Sequence, residues 1–242
     1  MTAATLVTLG GSAARTLVCI PHAGGSVVAF RAWVRGAAAA GLAVRAVHWE
    51  DEPGRSSIES RADALAAELQ GIAEPWVLLG HSLGALIAAE TIRRITGPAP
   101  ELVVLCAAAP PGYPRDFPAG VLAAPEAAMV QYVTRLGGTP DDILMNPNFR
   151  PQLLKHLRND LNLIERYEPA FDGPLTLPVS VYGGASDASV PIEALGGWQA
   201  FARQARVRIF PGNHFFLHGR PAEVCREVAA DCMRTSPDRL GG

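Results

Sequence analysis

The chain has 242 residues, 21 of them basic and 23 acidic, for a formal net charge of −2. That balance, without any run of like charge, gives no electrostatic case for nucleic acid. The length suits one large α/β domain, residues 1–242, rather than two, and a hydrophobic fraction of 49% can fill its core. No apolar h-region follows the first positive charge, Arg15, and no apolar stretch reaches the roughly eighteen residues of a membrane span. A soluble, cytoplasmic protein without membrane contact is therefore expected. Cys19, Cys106, Cys225 and Cys232 form no C-x-x-C pair. Cys19 and Cys106 sit in apolar runs, where a thiol acts as a small buried hydrophobe, so neither a disulfide nor a metal site is expected.

Short apolar runs alternate with longer amphipathic ones. Leu17–Ile20 reads as a buried strand ended by Pro21, Gly24 and Gly25. A helix over Ala29–Ala40 stops near Gly41, and Val44–Trp49 is the next strand. Ser57 is placed to cap a helix that runs through Ile72, with Ile58, Leu65 and Leu69 on one face. Val77–Gly80 reads as a strand, Leu83–Ile95 as a helix ended by Gly97 and Pro98, and Leu102–Ala107 as a strand. This order implies a parallel sheet with helices on both faces. From about Gly112 to Pro169 only proline-punctuated helical segments appear, the usual place for a lid inserted between two strands. Met129, Val130, Val133, Leu136, Leu153, Leu157, Leu161 and Ile164 recur there at near-helical spacing. They either shape a pocket or pack the short helices together. The strand–helix rhythm resumes with Val179–Tyr182, a helix through Trp198–Ala202, Val207–Phe210 and a last helix around Ala222–Met233.

Gly80-His81-Ser82-Leu83-Gly84 matches G-x-S-x-G between an apolar strand and an apolar helix, the context that a nucleophile elbow requires. A strand-to-helix turn this tight pushes the Ser82 hydroxyl clear of the sheet, at a helix N-terminus that favours developing negative charge. A serine that merely caps a helix is the bland alternative. Serine also needs a base of near-neutral pKa. The histidines are His22, His48, His81, His156, His214 and His218, and in the chain order Ser, acid, His only the last two qualify. His214, directly after the last strand, takes the role by position, with His218 as runner-up. Asp187 leaves the carboxyl end of the strand Val179–Tyr182 and is the expected acid, ahead of Asp172 and Glu193. The tetrahedral oxyanion needs two donors. The backbone N–H of Leu83 and of Ala23 are assigned, with His22 shaping the loop after the first buried strand.

Taken together, the motifs resemble the stand-alone type II thioesterases of polyketide and nonribosomal-peptide assembly lines. The matching stretches are Pro21-His22-Ala23-Gly24-Gly25-Ser26, Gly80–Ala85, Leu136–Pro140, Leu157-Arg158-Asn159-Asp160, Glu165-Arg166-Tyr167, Gly183–Asp187 and Phe210–Leu217. They run in the family order from residue 17 to about 220. The resemblance thins after Trp49. There the family carries an aromatic-Pro-Gly-Arg stretch and a longer loop, whereas this chain reads Glu50-Asp51-Glu52-Pro53-Gly54-Arg55. The resemblance implies an α/β-hydrolase fold with a helical lid over about 112–169. It implies hydrolysis of acyl groups from the phosphopantetheine arm of an acyl or peptidyl carrier protein, with no metal and no organic cofactor. The lid arginines Arg115, Arg135, Arg150, Arg158 and Arg166 are candidates to meet an acidic carrier. A monomer is the default. An esterase, an acyl transferase or a tailoring enzyme on the same triad is the alternative, and a non-catalytic binding module a third.

Overall fold

A computed structural model of the chain describes residues 2–50, 56–114, 117–139, 141–169 and 173–235. Among the described residues, seven strands form one sheet in the order β1-β3-β2-β4-β5-β6-β7. They are β1 (Ala3–Gly10), β2 (Arg15–Ile20), β3 (Leu42–Glu50), β4 (Trp76–His81), β5 (Leu102–Cys106), β6 (Val179–Gly184) and β7 (Ala205–Phe210). All neighbours are parallel except β1, which runs antiparallel to β3 at the edge, with Ala3 opposite Glu50. The edge strand β1 is an addition to the elements read from the sequence.

Successive side chains on a strand face opposite ways, so each central strand feeds two cores. Val18, Ile20, Leu78, Val103, Leu105 and Val181 pack on one side, against α2 (Ile58–Leu69), α3 (Leu83–Ile92) and Trp198. Leu17, Cys19, Val77, Leu79, Val104 and Cys106 pack on the other, against Phe30, Trp33 and Ala37 and against α9 (Pro221–Thr235). Each fully buried side chain of this size contributes about 1.5–3 kcal/mol by leaving water. All four cysteines are buried and free.

Ser57 caps α2 through a reciprocal pair: its hydroxyl accepts the Ser60 N–H at 3.1 Å, and the Ser60 hydroxyl accepts the Ser57 N–H at 2.9 Å. The helix expected over Ala29–Ala40 is instead a 3-10 segment, Val27–Trp33, followed by α1 (Val34–Ala39). After β6 comes a short helix, α7 (Ile192–Gly196), and a 3-10 turn over Gly197–Ala200. After β7 a single helical turn, α8 (Phe216–Gly219), precedes α9.

Between β5 and β6 lie α4 (Glu126–Leu136), α5 (Asp141–Leu144) and α6 (Arg150–Glu165), and among the described residues from 112 to 169 there is no strand. The insertion is stitched together by polar contacts. The Glu165 carboxylate accepts the Gly120 and Val121 N–H groups at 2.6 and 3.3 Å, and Arg158 donates to the Val121 carbonyl at 2.6 Å. Arg150 pairs with Glu126 at 2.9 Å. Tyr167 donates to Glu90 on α3, the same carboxylate that Arg94 engages. Lys155, the chain's one lysine, stands on the exposed side of α6 at the rim of a cavity of about 400 Å³. That cavity is walled by Trp49, Arg61 and the Gly24–Ser26 loop.

Candidate active site

β4 ends on Gly80 and His81, and the chain turns into α3 through Ser82 at φ 56°, ψ −115°. Positive φ on a serine is strained, and the surrounding contacts hold it there. The Ser82 N–H donates to the Cys106 carbonyl at 2.8 Å, and its own carbonyl accepts the Ala85 N–H at 2.9 Å. The two elbow glycines are required by space. A Cβ on Gly80 would strike the Gly84 carbonyl, and a Cβ on Gly84 would strike the carbonyl oxygens of Ile20 and Pro21. The helix start is therefore pressed against the loop after β2. The Leu83 N–H, in the first turn of α3, is among the amides without a helical acceptor.

Ser82 and His214 line one narrow cavity of about 50 Å³. Ala107–Ala109, Phe117, Tyr132 and Ile164 form its apolar wall. Of the insertion residues singled out by spacing, Ile164 reaches this cavity, whereas Met129, Val133, Leu157 and Leu161 belong to the core. His214 follows β7 and is 4% exposed. Its Nδ1 donates to Asp187 Oδ2 at 2.8 Å, which leaves Nε2 as the basic nitrogen. The loops carrying acid and base lie backbone to backbone: a Cβ on Gly184 would strike the Asn213 and Gly212 carbonyls, and Ser186 N–H donates to Gly212 O at 2.9 Å.

The other oxygen of Asp187 accepts three donors: the Ser189 N–H and hydroxyl, both at 2.9 Å, and the Val190 N–H at 3.1 Å. Burial by itself would raise this carboxyl. The hydrogen bond and charge of His214, with the Ser189 donors, outweigh burial and hold it below the usual carboxylate range. Ser189 was not singled out from the sequence, although Asp-x-Ser is the spacing of an Asx turn and offered a signal. The rival acids fare differently. Glu193 is exposed on α7, and Asp172 lies outside the described residues, as do Asp51–Arg55, Arg115 and Pro140.

His218 does not contact Asp187 in this arrangement; it belongs to a second histidine system. Trp33 Nε1–H donates to His218 Nδ1 at 3.4 Å, His218 Nε2 faces His81 Nδ1 at 3.3 Å, and His81 Nε2 meets the His214 carbonyl at 2.9 Å. An indole nitrogen only donates and a carbonyl only accepts, so the chain runs in one direction with both imidazoles protonated on Nε2. Burial lowers all three neighbouring imidazoles: His22 to about 3, His218 to about 4 and His81 well below its ordinary value. One nitrogen from each of His22, His81 and His218 lies within 4.8 Å of the other two, and among the described residues these three are the group closest to a metal-ligand set. His81 and His218 already use ring nitrogens in hydrogen bonds, and Phe30, Trp33 and Phe215 surround the three rings. A dication there would sit without a compensating charge.

Residues 15–232 match the model of the thioesterase domain. The chain belongs to the thioesterase domain family. It is thus a hydrolase acting on thioesters, built on the α/β-hydrolase fold. The gramicidin S biosynthesis protein GrsT of Aneurinibacillus migulanus is 29% identical over 222 residues, covering 86% of this chain and 85% of that protein. Thioesterase PikA5 of Streptomyces venezuelae is 28% identical, with 92% and 83% covered. Among solved structures, the RedJ thioesterase of the prodiginine pathway in Streptomyces coelicolor superposes with a TM-score of 0.77 at 28% identity, covering 91% of this chain and 86% of that one. Within this thioesterase no described helix is long and apolar enough to cross a membrane.

Proposed function

We propose that this thioesterase hydrolyses acyl groups carried on the phosphopantetheine arm of an acyl or peptidyl carrier protein in polyketide or nonribosomal-peptide biosynthesis. It would do so as one cytoplasmic domain spanning residues 1–242, with residues 112–169 as its lid. The observation that supports the chemistry is that Ser82 and His214 line one cavity while Asp187 accepts the Nδ1 proton of His214. The kinship with GrsT and PikA5 carries the setting.

In this reading Ser82 Oγ attacks the thioester carbonyl while His214 Nε2 takes its proton. Asp187 holds the imidazole tautomer and stabilises the imidazolium. The N–H groups of Leu83 and Ala23 receive the oxyanion. Collapse breaks the C–S bond, and the pantetheine sulfur leaves with the proton from His214. Water, deprotonated by the same nitrogen, then attacks the acyl-serine, and collapse returns the proton to Ser82. A thiolate leaves more readily than an amine because its conjugate acid has a pKa of about 8.5. No cofactor takes part in these steps.

Carrier recognition needs a local patch, since the net charge is near zero. Arg150 and Arg158 are engaged inside the insertion. Exposed Arg166 and the apolar Met145 and Phe149, 62% and 61% exposed, remain on its surface. The test compares kcat/KM for one acyl group on a carrier protein, on pantetheine, on a small thiol and as an oxygen ester. The carrier-linked form should be best, with an advantage that shrinks as salt rises. A preference for the oxygen ester would favour an esterase instead.

A further inference from the structure

One side chain of the insertion reaches the loop from which the second oxyanion donor comes. Asp160, on α6, accepts the Gly24 N–H through Oδ2 at 2.7 Å, and through Oδ1 it accepts Nη2 of Arg61 on α2, also at 2.7 Å. The pair is sheltered, with side chains 9% exposed for Arg61 and 14% for Asp160. The Arg61 guanidinium lies 5.2 Å from the Trp49 ring centroid, which fixes it from the β3 side. α6 lies directly on the loop: a methyl group on Gly24 would come within 3.5 Å of the Leu157 Cα.

Peptide planarity turns this contact into a constraint on Ala23. Two peptide planes flank that residue. The first contains the His22 carbonyl and the Ala23 N–H, and Gly25 N–H anchors it by donating to His22 O at 2.9 Å. In a trans peptide the Ala23 N–H then points away from that bond. The second plane contains the Ala23 carbonyl and the Gly24 N–H, and Asp160 anchors it. With both planes held, the Ala23 N–H has a fixed direction.

We infer that Asp160 is a positioning residue for the oxyanion hole, acting through Gly24 on the Ala23 N–H and itself held by Arg61. This rests on the reading of Ala23 as an oxyanion donor. It gives a function to the Leu157-Arg158-Asn159-Asp160 motif, and it makes the hole complete only while α6 is docked.

The test uses the full chain with Asp160→Ala, Asp160→Asn and Ala23→Pro, the last removing the N–H itself. Folding is checked by circular dichroism, and active sites are counted with a fluorophosphonate. For each variant, kcat and KM are measured on an acyl-pantetheine thioester. Inhibition is measured with an acyl trifluoromethyl ketone, whose adduct with Ser82 carries an oxyanion, and with the matching unreactive thioether. Losing a whole donor costs about 10²–10³ in kcat, so a misdirected one in Asp160→Ala should cost roughly 10- to 100-fold. The ketone should weaken by the same factor, while KM and thioether binding stay within about twofold. Asp160→Asn keeps one oxygen for the Gly24 N–H but turns its NH2 toward the Arg61 donor, so it should recover part of the loss. Unchanged kcat in folded Asp160→Ala, or equal weakening of ketone and thioether, overturns the role of Asp160. If that happens while Ala23→Pro loses both kcat and ketone affinity, the donor stands and only the positioning fails. If Ala23→Pro keeps both, the donor assignment fails and the inference with it.

Discussion

Asp187 is solvated by protein groups, with His214 on one oxygen and three donors on the other. Removing the Ser189 hydroxyl leaves three donors in place. Ser189→Ala should therefore lower kcat by roughly fivefold, less than the full worth of a hydrogen bond to a charge, with KM little changed. His214→Ala, by contrast, should cost on the order of 10⁶ in kcat. His218 acts at one remove, so His218→Phe should lose less than about tenfold, the worth of one neutral hydrogen bond. The buried imidazoles carry a second consequence. His22 and His218 stay neutral in the fold down to about 3 and about 4, and burial likewise holds His81 well below its ordinary value, whereas an unfolded histidine protonates at about 6.5. Between those limits the unfolded chain binds more protons, so stability falls as pH drops from about 6.5 toward 4. Each histidine adds about 1.4 kcal/mol per pH unit at most. Thermal melts across that window should show the slope, and His218→Phe should reduce it by about one proton. A slope unchanged in that variant would place His218 outside the buried system.

At the scale of elements, the insertion reaches the loop after β2 through Asp160 and the loop after β7 through the Gly137 carbonyl, which accepts from Asn213. Ile164 and Tyr132 wall the Ser82 cavity. Ile164→Ala should shift preference toward longer acyl chains, by roughly 10- to 200-fold for a methylene's worth of space, more than it changes the maximal rate. A chain-length series of acyl-pantetheines reads this directly. The central strands were legible because burial on both faces leaves near-continuous apolar runs such as Leu102-Val103-Val104-Leu105. β1 was not. It is an edge strand with no fully buried position, and its Ala, Thr and Leu carry a weak pattern. The helix over Ala29–Ala40 divides because Val27–Trp33 winds as 3-10 from the Ser26 cap, a distinction that apolar spacing does not encode. The proposed triad of Ser82, Asp187 and His214 rests on local motifs and their order along the chain, and the contact of His214 with Asp187 joins residues that order had paired. Asp160 and Ser189 gain their significance from partners: Gly24 is 136 residues from Asp160. The His81–His218 contact likewise spans 137 residues.

For the molecule as a whole, the two cores on either side of the sheet are apolar but for a few buried polar groups. Beneath β6, Asp231 of α9 accepts the hydroxyls of Ser180 and Tyr182, both at 2.6 Å, and pairs with Arg234 at 2.9 Å. Burial, together with the Asp231 carboxylate, pushes the Tyr182 phenol well above its ordinary range. Asp231→Ala would leave two buried hydroxyls without their acceptor and should cost about 3 kcal/mol of stability. Denaturant unfolding measures that loss. Turnover at a temperature where the variant is folded should stay near normal, since Asp231, Ser180 and Tyr182 line no part of the Ser82 cavity.

Because Lys155 is the chain's one lysine and stands exposed on α6, amine chemistry can place a single side-chain fluorophore on the helix that carries Asp160. Its emission would then follow, in real time and without any substitution, whether that helix rests on the glycine loop or swings away when a carrier arrives.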